Sequence, residues 1–181
     1  MRFEKLPGLP PYGPTALAFG GPDHREGLVI RFCAATGTWI GNFHGGYGRA
    51  EAVLEHPDKR HIVVLYCGQG YMVDPDAPRA VSTFGGGVQE VFSVPEFDAI
   101  LFVDDLGLET INGQGLWWRS SRISWDGIRR ISIDGVTLHG EAFTPVGEIW
   151  VPFTVDLRTG ECRDGIYEAD MRRARRVHRP R

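Results

Sequence analysis

Two stretches, AVLEHPDKRHIVVLYCGQGYMVDPD (52–76) and EVFSVPEFDAILFVDDLGLETINGQ (90–114), follow the same plan at an offset of 38 residues. Pro57 of the first falls on Pro95 of the second. Each copy has the pattern of a strand, a turn with proline and an acid, an apolar strand, a tight turn and a strand that closes on Asp or Asn. Repetition of one β-unit is therefore the main structural signal in the chain.

Two further copies flank this pair. TALAFGGPDHREGLVIRFCAATGTWIGNF (15–43) precedes it, and IRRISIDGVTLHGEAF (128–143) with WVPFTVDLRTGE (150–161) follows it. The Asp134-Gly135 pair in the last copy is typical of a tight β-hairpin. Four units with a period of about 40 residues are typical of four-stranded propeller blades.

The remaining chain favours short strands. Runs of β-branched and aromatic residues are bounded by Gly, Pro and Asp, and many are separated by hairpin-length gaps that are too short for crossover helices. The predicted strands are 27–32, 61–66, 70–74, 88–94, 99–104, 108–112, 128–134, 136–143 and 149–157. GRAEAVL (48–54) fits either a helical turn or a strand. We expect an all-β antiparallel meander of about four repeated units, either propeller-like or barrel-like.

Length and composition indicate a single domain. The chain has 181 residues, of which 42% are apolar, enough for one sizeable core. We expect an N-terminal extension (1–14), a single β-repeat domain (15–170) and a basic C-terminal tail (171–181). The sequence has no apolar run of membrane-spanning length and no apolar signal-peptide core, so we expect a cytoplasmic protein without membrane contact.

Charge is divided unevenly along the chain. The segment Met171–Arg181 has six arginines and no acid, whereas residues 1–170 have 14 basic and 23 acidic residues, a net charge of -9. An acidic body repels nucleic-acid backbones and attracts basic surfaces. We therefore expect a basic protein partner, with nucleic-acid binding unlikely except through the arginine-rich tail.

The segment GLWWRSSRISWDGIRR (115–130) contains the first set of candidate binding residues, Trp117, Trp118, Arg119 and Arg122. Adjacent tryptophans on a strand face opposite sides. One interpretation is that an exposed indole beside an arginine anchors a partner. The other is that one indole fills the core while the second packs between neighbouring units beneath arginine stems.

Three acids complete the candidate set. Asp104 and Asp105 follow an apolar strand, and Glu109 is close in sequence. Several carboxylate oxygens suit a hard divalent cation. The repeat has Tyr66 and Cys67 at the places of the two aspartates, so the repeat does not require these acids. A solvated turn is the alternative interpretation.

Other chemistry has no support in the sequence. There is no GxSxG, no phosphate-binding GxxxxGK[ST], and no HxH, HExxH or Cys/His pairing. The three cysteines are far apart and without CxxC spacing, which is typical of reduced thiols. We therefore predict no catalytic residue, no metal ligand and no cofactor.

The stretch WWRSSRISWDGIRRISIDGVTLHGEAF (117–143), followed by WVPFTVDLRTGE (150–161), resembles a pattern in small uncharacterised bacterial β-repeat proteins that are propeller-like and have no assigned activity. Within it, VDLRTGE resembles the outer hairpin of quinoprotein-type propeller blades. The resemblance implies a fold and transfers no site.

Together these features predict a non-enzymatic interaction module, because β-repeat scaffolds present rigid loops that serve recognition. An immunity-like protein that blocks a basic toxin or nuclease fits the size and the acidic body. The alternative is an enzyme or ligand binder with an acidic and aromatic site for a sugar or a divalent metal.

Overall fold

The computed structural model describes residues 3–34 and 37–166, and the regular secondary structure of these residues is almost wholly β-strand. Within these residues, sixteen strands form four sheets of four strands each. The chain divides into two compact units, Met1–Phe92 and Ser93–Arg181. The all-β prediction is confirmed, whereas the predicted tail 171–181 lies outside the described residues. No helix in the described part is long and apolar enough to cross a membrane.

The first sheet departs from a simple meander. Its strands lie in the order β1-β3-β4-β2, where β1 is Phe3–Lys5, β2 is Leu17–Phe19, β3 is Leu28–Ala34 and β4 is Gly37–Phe43. Strand β2 pairs with β4 in parallel, which the prediction of an antiparallel meander did not include. The connection 20–27 is longer than a hairpin turn, so β2 is free to pair at the far edge of the sheet. Residues 3–5, assigned from sequence to an extension, pair with β3.

The second sheet is an antiparallel meander in chain order. Its strands are β5 (Ala52–Glu55), β6 (Ile62–Tyr66), β7 (Gln69–Asp74) and β8 (Arg79–Gly85). Strand β5 shows that the ambiguous segment 48–54 ends in a strand. Cys67 and Gly68 join β6 to β7 with φ values of 43° and 76°. Two successive left-handed residues give the type I′ geometry that matches the strand twist of a hairpin.

The third and fourth sheets also follow chain order. The third contains β9 (Glu90–Val94), β10 (Ala99–Val103), β11 (Leu108–Asn112) and β12 (Gly115–Arg119); the fourth contains β13 (Ile128–Asp134), β14 (Thr137–Thr144), β15 (Ile149–Asp156) and β16 (Cys162–Asp164). Strands β10 to β12 and β13 to β16 pair antiparallel. A short 3-10 helix, Pro95–Phe97, links β9 to β10 at the repeated proline. Every predicted strand overlaps an observed one.

The core of the first unit lies between its sheets. Eight buried side chains form one cluster: Leu28, Ile30, Phe32, Phe43, Ile62, Val64, Tyr71 and Val73. Alternate residues of a strand share a face, so the spacing of these residues along β3, β6 and β7 directs them to one side. The Tyr71 hydroxyl donates to the carbonyl oxygen of His44 at 2.7 Å. Burial raises the pKa of Tyr71.

Trp118 is the largest buried side chain in the core of the second unit. All five residues of β10 are buried, as are Leu138, Phe153 and Val155 of the fourth sheet. The indole N–H of Trp118 donates to the carbonyl oxygen of Leu157 at 2.8 Å. This bond ties β12 to the segment that follows β15, and therefore joins the third sheet to the fourth.

Candidate functional site

Asp104 caps the turn between β10 and β11. Its carboxylate oxygen Oδ1 accepts the backbone N–H groups of Leu106 and Gly107, each at 2.7 Å. Its own N–H donates to the carbonyl oxygen of Gly107 at 3.1 Å. A short acidic side chain bonded to the following backbone fixes a turn. Asp104 is exposed, and its carboxylate stabilises this turn.

Glu109 and Arg119 are direct cross-strand partners on β11 and β12. The Arg119 Nε donates to Glu109 Oε2 at 2.7 Å, and the Arg119 Nη2 makes a second contact with the same oxygen. Two donors on one carboxylate hold the guanidinium in a fixed plane. The two predicted binding residues therefore form one unit with little net charge.

Arg122 organises an exposed aromatic side chain. Its Nε donates to the carbonyl oxygen of Ser124 at 2.9 Å, and its Nη2 to that of Trp125 at 3.1 Å. The guanidinium lies 4.5 Å from the centre of the Trp125 ring, in cation–π geometry. The Trp125 indole is 40% exposed, so it presents a large rigid surface to solvent.

Backbone hydrogen bonds fix the loop 120–127 that carries these residues. The N–H of Ile123 donates to Leu106 O at 2.8 Å, and that of Gly127 to Asp105 O at 2.9 Å. Ser124 is fully buried and its hydroxyl donates to Gly127 O at 2.5 Å. The loop is therefore anchored to the β10–β11 turn rather than exposed along its length.

A shallow cleft of about 230 Å³ opens between this turn and this loop. Four of the sequence-predicted residues line it: Asp104, Glu109, Arg119 and Arg122. Ser120 joins them, and its Oγ accepts the N–H of Leu108 at 2.9 Å. Asp105, Trp117 and Trp118 do not line the cleft.

The adjacent tryptophans of β12 have different surroundings. Trp118 is 8% exposed, in the core. Trp117 is half-buried, with its ring 5.5 Å from that of Phe97 in an edge-to-face contact. The exposed indole in this region belongs to Trp125, which the sequence analysis did not name among the candidate binding residues. The Asp126-Gly127 pair that follows it is typical of a turn and was the signal that could have indicated exposure.

A second cluster lies in the first unit, on the loop between β5 and β6. His56, Asp58 and His61 each bring one potential metal-ligating atom to within 4.8 Å of the others. His61 Nδ1 lies 2.6 Å from Asp58 Oδ2, and His56 Nδ1 lies 3.1 Å from Asp58 Oδ1. Sequence reasoning missed this group because its His-x-Asp-x-x-His spacing is not a familiar ligand pattern.

The charge state of this loop is set by hydrogen bonds. Burial raises the pKa of Asp58, but backbone and side-chain hydrogen bonds from His61 and a backbone bond from Arg60 oppose it and hold that pKa well below its usual range. Arg60 itself donates to Asp74 at 2.8 Å and lowers the pKa of that carboxyl. Asp58 is therefore an anion at neutral pH, facing two imidazoles.

Comparison with known proteins adds no assignment to either cluster. No protein-family model, curated protein or solved structure matches the chain. The chemistry of the loop 120–127 and of the β5–β6 loop is therefore argued from their own residues.

Proposed function

We propose that the chain is a non-enzymatic protein-binding module that recognises a basic partner through the β10–β11 turn and the loop 120–127. The single observation that carries the proposal is Trp125, an indole 40% exposed and held in place by Arg122. Exposed tryptophans on rigid supports are enriched among the residues that dominate interface energy. We call this region, with Asp104, Leu106 and Asp126, the aromatic–acidic surface.

The loop supports this role because it is preorganised. Backbone hydrogen bonds to Leu106, Asp105 and Phe143 hold it before any partner arrives. Binding to a rigid surface loses less conformational entropy than binding to a loop that must first order. Leu106 is 43% exposed and adds apolar area to the surface.

Charge supports a basic partner. Residues 93–166 have twelve acids and six arginines, a net charge of -6, whereas residues 3–92 have nine acids and seven bases. Four of the six arginines are held in ion pairs by three acids, Glu109, Glu141 and Asp156. Exposed carboxylates such as Asp104 and Asp126 therefore give this segment a negative field, which accelerates encounter with a basic surface.

The test is affinity capture by the full chain, comparing wild type with Trp125→Ala. We expect one basic protein in stoichiometric amount, with affinity reduced at least about 30-fold by Trp125→Ala, as for a dominant interface residue. Leu116→Ala is the matched control, because Leu116 is 58% exposed on β12 and lies outside the aromatic–acidic surface.

A second measurement is the association rate in increasing salt. Asp104→Asn with Asp126→Asn should lower the rate and flatten its salt dependence, because exposed charges act mainly on encounter. Capture that is equally efficient with Trp125→Ala, or a partner with an acidic surface, would refute the proposal.

A ligand site in the cleft is the second candidate. The observation that favours it is the convergence of Asp104, Glu109, Arg119 and Arg122 on one concave surface. Thermal shift against monosaccharides and Ca²⁺ tests it: stabilisation of wild type that Glu109→Gln abolishes would favour this candidate over the protein-binding module.

The repeat and propeller-like character of the fold belongs to the same proposal. It is supported by β5–β8 and β9–β12, whose first strands begin 38 residues apart, at Ala52 and Glu90. Pro57 and Pro95 follow those strands at equivalent places. A crystal structure that shows the four sheets as successive blades would establish it, and any other packing of the sheets would exclude it.

A further inference from the structure

We infer that His56, Asp58 and His61 form a binding site for a divalent transition-metal ion of the zinc type. This site is separate from the aromatic–acidic surface and does not depend on its function. Two imidazoles and one carboxylate are a ligand set that Zn²⁺ accepts, with a fourth position left to water. The inference rests on geometry, burial and the departure of this loop from its repeat.

The distances are close to those that a bound ion needs. Zinc–ligand bonds of about 2.0–2.2 Å at tetrahedral angles separate neighbouring ligand atoms by about 3.2–3.6 Å. His56 Nδ1 and Asp58 Oδ1 are 3.1 Å apart, and an ion at His56 Nδ1 would replace the hydrogen bond that this nitrogen accepts from the backbone N–H of Asp58 at 3.1 Å. The 2.6 Å contact between His61 Nδ1 and Asp58 Oδ2 must open by about 0.6–1.0 Å to reach that separation. Coordination through His61 Nδ1 uses the tautomer that has its proton on Nε2.

The loop is shaped before an ion arrives. The backbone N–H of His56 donates to His61 O at 2.9 Å and closes the loop across its base. His56 is 2% exposed, so packing holds its ring, whereas the Asp58 and His61 side chains are 23% and 15% exposed and leave a route for the ion. Such preorganisation reduces the entropy lost on binding.

The repeat shows that this turn does not require histidines. At the offset of 38 residues, His56 corresponds to Val94 and His61 to Ala99. The equivalent connection, Pro95–Phe97, forms a 3-10 helix between β9 and β10 that has a carboxylate, Glu96, at the place of Asp58 but no histidine. Two imidazoles around one carboxylate are therefore a feature that this copy adds to the fold.

The test is calorimetric titration of the untagged full chain with Zn²⁺ alone. We expect saturation at one equivalent in wild type, and affinity at least about tenfold weaker in His61→Gln and in Asp58→Asn, because each removes a ligand. Asp58→Asn keeps an oxygen that can accept the backbone N–H groups of Arg60 and His61. His139→Gln and Cys33→Ser are matched controls, since both residues are exposed outside the cluster, and should bind as wild type does.

A readout on wild type alone removes any dependence on variant folding. Nitrogen-15 NMR of the histidine rings should show two coordinated Nδ1 atoms when Zn²⁺ is added, assigned to His56 and His61. No saturable binding by wild type, unchanged histidine spectra, or equal affinity in His61→Gln would each overturn the inference.

Discussion

Trp118 and Trp125 are seven positions apart and contribute to different properties, because the first is 8% and the second 40% exposed. Trp118→Ala removes a core indole and its bond to Leu157, so we expect a loss of about 3–5 kcal/mol in the free energy of unfolding. Trp125→Ala should cost less than about 1 kcal/mol, the value of its cation–π contact with Arg122. Urea unfolding of both variants measures the difference. Equal losses would show that Trp118 is not a core anchor.

At the scale of single residues, sequence alone leaves orientation undecided. Alternation on a strand separates Trp117 from Trp118 but cannot say which one faces the core. Exposure of Trp125 depends on hydrogen bonds between the loop 120–127 and strands distant in the sequence. The His56–Asp58–His61 cluster likewise depends on how one loop closes, which residue types do not specify.

The hairpin between β6 and β7 provides a prediction at the scale of elements. Gly68 has a φ of 76°, and a Cβ there would lie 2.6 Å from the Cα of Gly48. Gly135, in the β13–β14 hairpin, also has positive φ, but a Cβ there would meet nothing within 4 Å. Gly135→Ala should lower the free energy of unfolding by about 1 kcal/mol, because alanine is strained in the left-handed region.

Gly68→Ala should cost at least about 2 kcal/mol more than Gly135→Ala, because backbone atoms must move to admit the methyl group. Chemical denaturation of the two variants gives the comparison. Similar midpoints would mean that the contact between Gly48 and Gly68 relaxes without cost.

Strands with strong alternation or long apolar runs were predictable from sequence, and each of them overlaps an observed strand. Three-residue strands such as β1 and β2 are too short to show a period. The parallel pairing of β2 with β4 depends on a chain reversal through 20–27 that carries no pairing signal. Sequence patterns therefore predict the elements more readily than their order in a sheet.

For the whole molecule, acid should weaken the fold. The pKa of Asp156 is lowered to about 2, first by a side-chain bond from Arg158, and the pKa of Glu141 is lowered, first by Arg129. Together with Asp58, these carboxyls have folded pKa values below the unfolded values of about 4. Their contribution to the free energy of unfolding is complete above about pH 5 and is lost as pH falls through their pKa values in the folded state.

The free energy of unfolding should therefore decrease below about pH 4. Urea unfolding at pH 6 and pH 3 measures the decrease. Asp156→Asn should reduce the difference between the two pH values, whereas Asp134→Asn, at an exposed hairpin turn, should leave it unchanged. If the free energy of unfolding decreased as much between pH 6 and pH 3 in Asp156→Asn as in wild type, the Asp156 carboxyl would not be a cause of the acid sensitivity.

The exposure of one tryptophan gives the protein an intrinsic optical reporter. Trp39, Trp117 and Trp150 are half-buried and Trp118 is buried, so among the chain's five indoles Trp125 is the most open to collisional quenching. Iodide should therefore quench the fluorescence of Trp125 before that of the other indoles. A molecule that covers Trp125 should protect its fluorescence from iodide. Contact with a partner becomes visible in unlabelled protein, through the fluorophore that makes the contact.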